Sequence, residues 1–182
     1  MRALLPLSFV FCFFISASAH AECAYPDSER GNAPDWLCGV DEFEGAGFLA
    51  VGDKSRLPSI SLQNRMAGKA AMTAVVTKVM AYAVAELQAE LPEDVSLSVA
   101  ESVNWSQVAR FKRIKVLDKV SSPRRHLYVL AGVAPELQAD MIHIARHEIL
   151  KANKAIIVEA VGKDGWRKLA APIDKPMVNK LN

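Results

Sequence analysis

The sequence predicts an α+β fold, in which an antiparallel sheet packs on one long α-helix and a second helix follows towards the C-terminus. Three observations support this class. Residues 62–91 form an alanine-rich run without proline, which is typical of a long helix. Two runs rich in β-branched residues, 108–120 and 126–133, flank a Ser-Ser-Pro-Arg turn and predict an antiparallel hairpin. Pro135 then opens a second helical pattern, and this order of elements fits an α+β layout.

Residues 1–21 have the layout of a cleavable secretory signal. Arg2 supplies the positive n-region, residues 4–15 form an apolar h-region, and small residues follow. Cleavage after Ala21 fits the pattern best, and cleavage after Ala19 is the alternative. About a dozen apolar residues are too few to span a bilayer. No later stretch is long and apolar enough to span a membrane, so we expect an exported, periplasmic chain without a transmembrane span, with association to the outer membrane left open.

Composition limits the classes of function. Removing residues 1–21 takes away Arg2 and no acid, so the formal charge falls from +2 to +1. This balance argues against a dedicated nucleic-acid surface, which needs a clear basic excess. About 160 residues remain, enough for one domain with its own core. We expect an irregular, turn-rich segment over 22–46 and a single α+β domain over 47–182.

Two cysteines, Cys23 and Cys38, remain after removal of the signal. In an oxidising compartment they predict a disulfide within the N-terminal segment, and closing a loop of this size contributes roughly 3 kcal/mol in the chain-entropy model. Two free thiols and a lipid anchor on Cys23 are the alternatives. Glu22, directly before Cys23, does not fit the small residues of a lipobox.

The first elements of the domain are a strand and the long helix. Residues 47–52, GFLAVG, predict a short buried strand between glycines. Within the helix, apolar residues recur at steps of three and four and predict one core-facing stripe. This predicted stripe comprises Met66, Ala70, Thr73, Val76 or Thr77, Met80, Val84 and Leu87.

The later elements are the hairpin, the second helix and a tail. The first hairpin strand should be bent or bulged near Arg113, and the second, 126–133, should be buried on both faces. The predicted core face of the second helix is Leu137, Met141, Ile144, Ala145 and Ile149. The tail, 155–173, holds a strand-like run, a Lys-Asp-Gly turn and a return segment. It predicts either a final hairpin or a docking arm.

A candidate metal site lies on the second helix. His143 and His147 stand four apart on one helical face, and Asp140 precedes His143 by three. With one more ligand, this set could hold Zn²⁺ or Cu²⁺. The alternative is an ordinary polar helix face. The glutamate of the H-E-x-x-H protease motif is missing, and no G-x-S-x-G, P-loop or G-x-G-x-x-G motif occurs. We therefore expect no cofactor and no enzymatic activity.

A basic hairpin is the second candidate site. Its cations are Arg110, Lys112, Arg113, Lys115, Arg124 and Arg125. They could meet an anionic surface or a protein partner. The alternative is that these side chains are simply solvated, or protect a sheet edge from aggregation.

Four short motifs, in this order, resemble the Lpp-twenty lipoprotein family. They are PDWL (34–37), GFLAVG (47–52), the alanine-rich RMAGKAAMTAVVTKV (65–79) and LYVLAGV (127–133). The resemblance implies an antiparallel sheet on a long helix and a structural or assembly role in the cell envelope, often around the flagellum. It implies envelope or flagellar proteins as partners, with self-association left open, and it brings no catalytic residues. Members usually carry a lipidated cysteine, from which this sequence departs.

These observations lead to one expected function and one alternative. We expect a non-enzymatic envelope protein that acts through protein–protein contacts. A periplasmic module that binds a small ligand or a metal is the alternative.

Overall fold

The computed structural model describes residues 23–39, 43–98 and 108–171. The described elements form the predicted α+β class, and the predicted signal peptide, 1–21, lies outside the described residues. In chain order they are β1 (Ala24–Tyr25), β2 (Ser28–Asn32), a 3₁₀ turn (Asp35–Leu37), β3 (Gly47–Lys54), α1 (Ile60–Ala89), β4 (Ile114–Ser121), β5 (Leu127–Val133), α2 (Pro135–Ala152) and α3 (Lys154–Ala170).

The main sheet has three antiparallel strands in the order β3-β5-β4. The predicted hairpin of β4 and β5 is confirmed, and every residue of β5 is buried, as expected for a central strand covered on both faces. The first hairpin strand is shorter than predicted. It begins only at Ile114, because the Phe111 amide donates to the Val108 carbonyl in a tight turn. Its register shift lies between Val116 and Asp118 rather than near Arg113.

The long helix packs across the sheet through residues that stand four apart. This inner stripe consists of Gln63, Ala67, Ala71, Val75, Val79, Ala83 and Leu87, all buried. Because a helix has 3.6 residues per turn, each four-residue step turns the next side chain about 40° further around the axis. The inner stripe therefore winds around α1, which contacts β3, β5 and α2 along its length.

The predicted core face of α1 is wrong at the N-terminal end of the helix, whereas further along Met80 and Val84 are half-buried against the core. Val76 and Leu87 are buried as expected, but Met66 is 40% exposed and Ala70 is also exposed. The prediction assumed that the buried stripe runs straight along α1, whereas the residues packed on the sheet form a stripe that winds around the helix. At the N-terminal end of α1, the buried residues are Ala67 and Ala71, which directly follow the predicted Met66 and Ala70.

Polar contacts fix the start of α1. Ser59 caps the helix by accepting a hydrogen bond from the Leu62 amide. One turn later, the buried Gln63 side-chain amide donates to the carbonyls of Lys54 and Arg125, at 3.0 and 2.9 Å. These two carbonyls lie at the end of β3 and just before β5, so one side chain ties the helix to two strands.

The C-terminal region is helical throughout its described part. Met141, Ala145 and Ile149 of α2 are buried as predicted. The hairpin predicted for the tail is wrong, since residues 154–170 form α3, with a kink at Gly162. Tertiary contacts override the local strand preference here, because Ile157 is fully buried in the core.

The contact between β3 and α1 depends on Gly52. A Cβ atom at this position would overlap the backbone of Ala70 and Ala71. We expect Gly52→Ala to lower the free energy of unfolding by about 1–3 kcal/mol, because the helix must shift away from the strand. Urea denaturation of the mature protein measures this change.

Gly68 provides the matched control on α1. A Cβ atom there meets nothing within 4 Å, so Gly68→Ala should raise stability by up to about 1 kcal/mol through helix propensity. Equal stability of the two variants would contradict the close packing of α1 on Gly52.

Candidate interaction surfaces

The N-terminal segment is fastened to the sheet face opposite α1. The predicted disulfide is confirmed, since Cys23 and Cys38 are bonded with their Cα atoms 5.7 Å apart. Between them, the buried Trp36 packs with Leu49, Tyr128 and Leu130. Its indole nitrogen donates to the Asp118 carboxylate at 2.9 Å. The aromatic anchor and the disulfide thus hold this segment over the sheet.

A second tie joins this segment to the β4–β5 hairpin through Asp27. Its carboxylate accepts hydrogen bonds from the hydroxyls of Ser122, at 2.7 Å, and Tyr128, at 2.8 Å. The ring of His126 stacks on Tyr128 and contacts the Asp53 carboxylate. Ser122 and His126 thus engage different carboxylates, so the described contacts tie elements together rather than forming a serine–histidine pair.

These contacts change two pKa values. Burial acts to raise the pKa of Asp27, but the hydrogen bonds from Ser122 and Tyr128 outweigh it and lower that pKa below its ordinary value of 3.8. Burial, followed by the hydrogen bond to Asp27, raises the pKa of Tyr128 to about 12. The pair is therefore an ionised carboxylate held by a neutral phenol over the whole neutral range.

A cleft of 710 Å³ lies beside this tie. It opens between the β1–β2 hairpin and the turn that joins β4 to β5. Its lining residues are Tyr25, Pro26, Asp27, Ser28, Glu29, Arg30, Pro123 and Arg124. The two arginines and two acids balance each other, so the cleft has no clear preference for one sign of charge.

The basic hairpin and the polar face of α2 form ion pairs with each other. Arg113 forms an ion pair with Asp140, and Arg110 pairs with Glu148 on the same helix, α2. The remaining cations of the basic hairpin, Lys112, Lys115, Arg124 and Arg125, are exposed. The predicted basic surface is therefore divided, with its first part engaged by α2 and its last part at the hairpin tip.

The structure does not assemble the candidate metal set. Asp140 is engaged by Arg113, while His143 and His147 lie exposed on α2. Within residues 23–39, 43–98 and 108–171, no group of three or more His, Cys, Asp or Glu side chains is placed to hold a metal ion.

Sequence reasoning missed a buried ion pair between α1 and α2. Arg146 is buried, and its guanidinium lies 2.9 Å from the Glu90 carboxylate and 3.9 Å from that of Glu86. The sequence places Arg146 directly after Ala145, which was predicted to face the core, and this position was the available indication that Arg146 is buried. Only the packed helices, however, show which acids it meets.

An unexpected exposed surface is the outer stripe of α1, formed by Met66, Ala70, Thr77, Ala81 and Ala85. All five residues are exposed. Tyr82 flanks the stripe and is 46% exposed. Several of these residues belong to the face that the sequence pattern assigns to the core. Helix α1 is thus apolar on two sides, and the fold buries one of them.

By length and composition, α1 could cross a membrane. It is the one helix among the described residues that passes this test, and 39% of its most apolar stretch is buried. This departs from our expectation that no segment after the signal is long and apolar enough. The core helix of a folded domain can have the same length and composition.

No protein-family model matches the chain, and no curated protein matches it. The resemblance to the Lpp-twenty family stays a prediction.

The Asp27 tie predicts how stability depends on pH. Because the folded-state pKa of Asp27 is lowered, its contribution is complete above the unfolded-state pKa and is lost as pH falls through the folded-state value. At pH 7 we expect Asp27→Asn to cost about 1–2 kcal/mol, because two hydrogen bonds lose their charged acceptor. The difference from wild type should shrink below about pH 4. Urea denaturation at several pH values measures this.

Glu29→Gln is the control for this experiment, because Glu29 is an exposed carboxylate two residues away. It should leave stability at pH 7 within about 0.5 kcal/mol of wild type. A difference between Asp27→Asn and wild type that is constant with pH would contradict an ionised Asp27 at the tie.

Proposed function

We propose that this chain is an exported, periplasmic protein of the cell envelope that acts through contacts with other proteins, in a structural or assembly role. The observation that carries this proposal is the outer stripe of α1. Exposed apolar patches bordered by polar residues are typical of interaction sites. Helix α1 is apolar on two sides and the fold buries only one of them, so the exposed side suits a partner.

The sharpest form of the proposal is a role in assembly of the flagellum. It rests on the resemblance of the PDWL, GFLAVG, helix and LYVLAGV motifs to the Lpp-twenty family. Partners would then be flagellar or other envelope proteins. The disulfide between Cys23 and Cys38 supports an oxidising compartment such as the periplasm.

A chromosomal variant tests the outer stripe in the cell. We expect Ala81→Arg to reproduce the phenotype of a clean gene deletion, because a long charged side chain blocks close contact at this exposed position. Swimming, basal-body rings and envelope integrity are compared with wild type. The purified variant should keep the wild-type unfolding midpoint, which separates lost contact from lost folding.

Ala160→Arg is the matched control, since Ala160 is an exposed helical alanine on α3. It should behave as wild type. If the deletion strain swims normally with intact rings, the flagellar form is wrong. If a folded Ala81→Arg protein supports every function that the deletion removes, contact through α1 is wrong.

The intact mass of the mature protein tests the state of its N-terminus. We expect cleavage before Glu22, no acyl chain, and a mass lower by two hydrogen atoms than after reduction, because Cys23 is bonded to Cys38. Mass spectrometry before and after reduction measures all three. Diacylglycerol on Cys23 would overturn the unanchored form of the proposal.

A further inference from the structure

The cleft beside the Asp27 tie has walls that the fold fixes in place. The disulfide closes the segment that carries the β1–β2 hairpin, and the Asp27 carboxylate joins this hairpin to the Ser122 hydroxyl of the opposite wall at 2.7 Å. A Cβ atom at Gly31 would lie 3.4 Å from the Pro123 ring, so the hairpin also lies against the turn. A cleft fixed in this way loses little conformational freedom when it binds a ligand. Its volume of 710 Å³ is in the range of small-ligand sites.

Three charged side chains line the cleft without a partner among the described residues. Glu29 and Arg30 are neighbours on β2, and Arg124 lies in the turn that forms the opposite wall. All three are exposed, and none makes an ion pair or a side-chain hydrogen bond within residues 23–39, 43–98 and 108–171. Asp27 differs, because its carboxylate already accepts two hydroxyl hydrogen bonds. One carboxylate and two guanidinium groups are therefore available to a ligand.

An apolar surface adjoins these charges. The side chain of Tyr25 lines the cleft together with Pro26 and Pro123. Its ring centroid lies 6.2 Å from that of the buried Tyr128, so one part of the Tyr25 ring packs against the sheet. Tyr25 as a whole is only half-buried. Because aromatic rings pair well in offset and edge-to-face arrangements, the exposed part of Tyr25 suits a flat apolar group.

We propose that the cleft binds a small zwitterion with a flat apolar side chain, which is the chemistry of a free aromatic α-amino acid. Guanidinium groups bind carboxylates through paired, charge-assisted hydrogen bonds, so Arg30 and Arg124 hold the ligand carboxylate. Glu29 holds the ammonium group, and Tyr25 packs against the side chain. The charges of Asp27 and Glu29 balance those of the two arginines, so a ligand that carries both signs matches the cleft better than a simple anion or cation.

Four probes test this proposal by isothermal titration calorimetry at pH 7, on the mature, disulfide-bonded protein. L-Phenylalanine has both charges and the ring. The other three each lack one part: 3-phenylpropionate has no ammonium group, 2-phenylethylamine has no carboxylate, and L-alanine has no ring. We expect L-phenylalanine to bind about tenfold more tightly than each of the others, because each leaves one part of the cleft without its partner. An analogue that binds as tightly as L-phenylalanine, or no binding of L-phenylalanine, would overturn the proposal.

Two variants assign the charges of the ligand to the walls of the cleft. Arg124→Gln should weaken binding of L-phenylalanine about tenfold and should not weaken binding of 2-phenylethylamine, which has no carboxylate. Glu29→Gln should weaken L-phenylalanine to a similar extent and should not weaken 3-phenylpropionate, which has no ammonium group. Both residues are exposed, so both variants should keep the wild-type unfolding midpoint in urea.

Arg56→Gln is the matched control, because Arg56 is an exposed arginine that does not line the cleft. It should bind L-phenylalanine as wild type does. Wild-type affinity for L-phenylalanine in a folded Arg124→Gln or Glu29→Gln protein would contradict the assigned roles and overturn the proposal.

This inference goes beyond the proposed function and uses no residue of the outer stripe. The segment that forms one wall of the cleft covers the sheet face opposite α1. Ala81→Arg should therefore bind L-phenylalanine with wild-type affinity. Loss of binding in a folded Ala81→Arg protein would place the ligand outside the cleft and overturn the proposal, whatever the phenotype of that variant in the cell.

Discussion

The close contact of α1 with β3 at Gly52 determines how the described elements pack around the main sheet. No side chain stands between the strand and the helix there, so the backbone of Ala70 and Ala71 lies directly on the glycine. Close approach at this point favours small residues on the facing side of α1, and Ala67 and Ala71 supply them. Because the inner stripe then continues at four-residue steps, it winds around the helix and reaches α2 through its C-terminal half.

The two faces of the sheet are covered by different means. Helix α1 covers one face with a continuous apolar core. The opposite face is covered by a short segment with little regular structure, held by Trp36, Asp27 and the disulfide. Trp36 and its acceptor Asp118 are 82 residues apart in the chain, and Asp27 and Tyr128 are 101 apart. Such distant contacts cost loop-closure entropy, which a disulfide in the segment partly offsets by restricting the unfolded chain.

Much of this fold was predictable from local signals, and the errors share one cause. The hairpin, the start of α2 at Pro135 and the long helix follow from turn residues, proline and alanine content. The face of α1 at its N-terminal end could not be predicted, because Met66 and Ala70 are as apolar as Ala67 and Ala71. Only the approach of Gly52 from a different part of the chain decides between them. The error at α3 has the same origin, since burial of Ile157 is decided by the rest of the core.

The candidate sites also include features that local sequence predicts and features that depend on contacts between distant parts of the chain. The disulfide was predicted because only two cysteines follow the predicted export signal, and free thiols or a lipid anchor on Cys23 were the alternatives. The basic hairpin and the polar face of α2 were each identified correctly as charged surfaces, but their mutual pairing was not. The pairs of Arg113 with Asp140 and Arg110 with Glu148 join residues 27 and 38 positions apart. No local pattern encodes such pairs.

Helix α1 therefore meets two requirements that usually conflict. Its inner stripe must be small and apolar to lie against Gly52, and its outer stripe must be compatible with water because it is exposed. Alanine and threonine satisfy the second requirement, because each exposes little apolar area, and Arg65 and Lys78 keep the flanks hydrated. Small residues on that side would also leave room for the close approach of a partner under the proposed function.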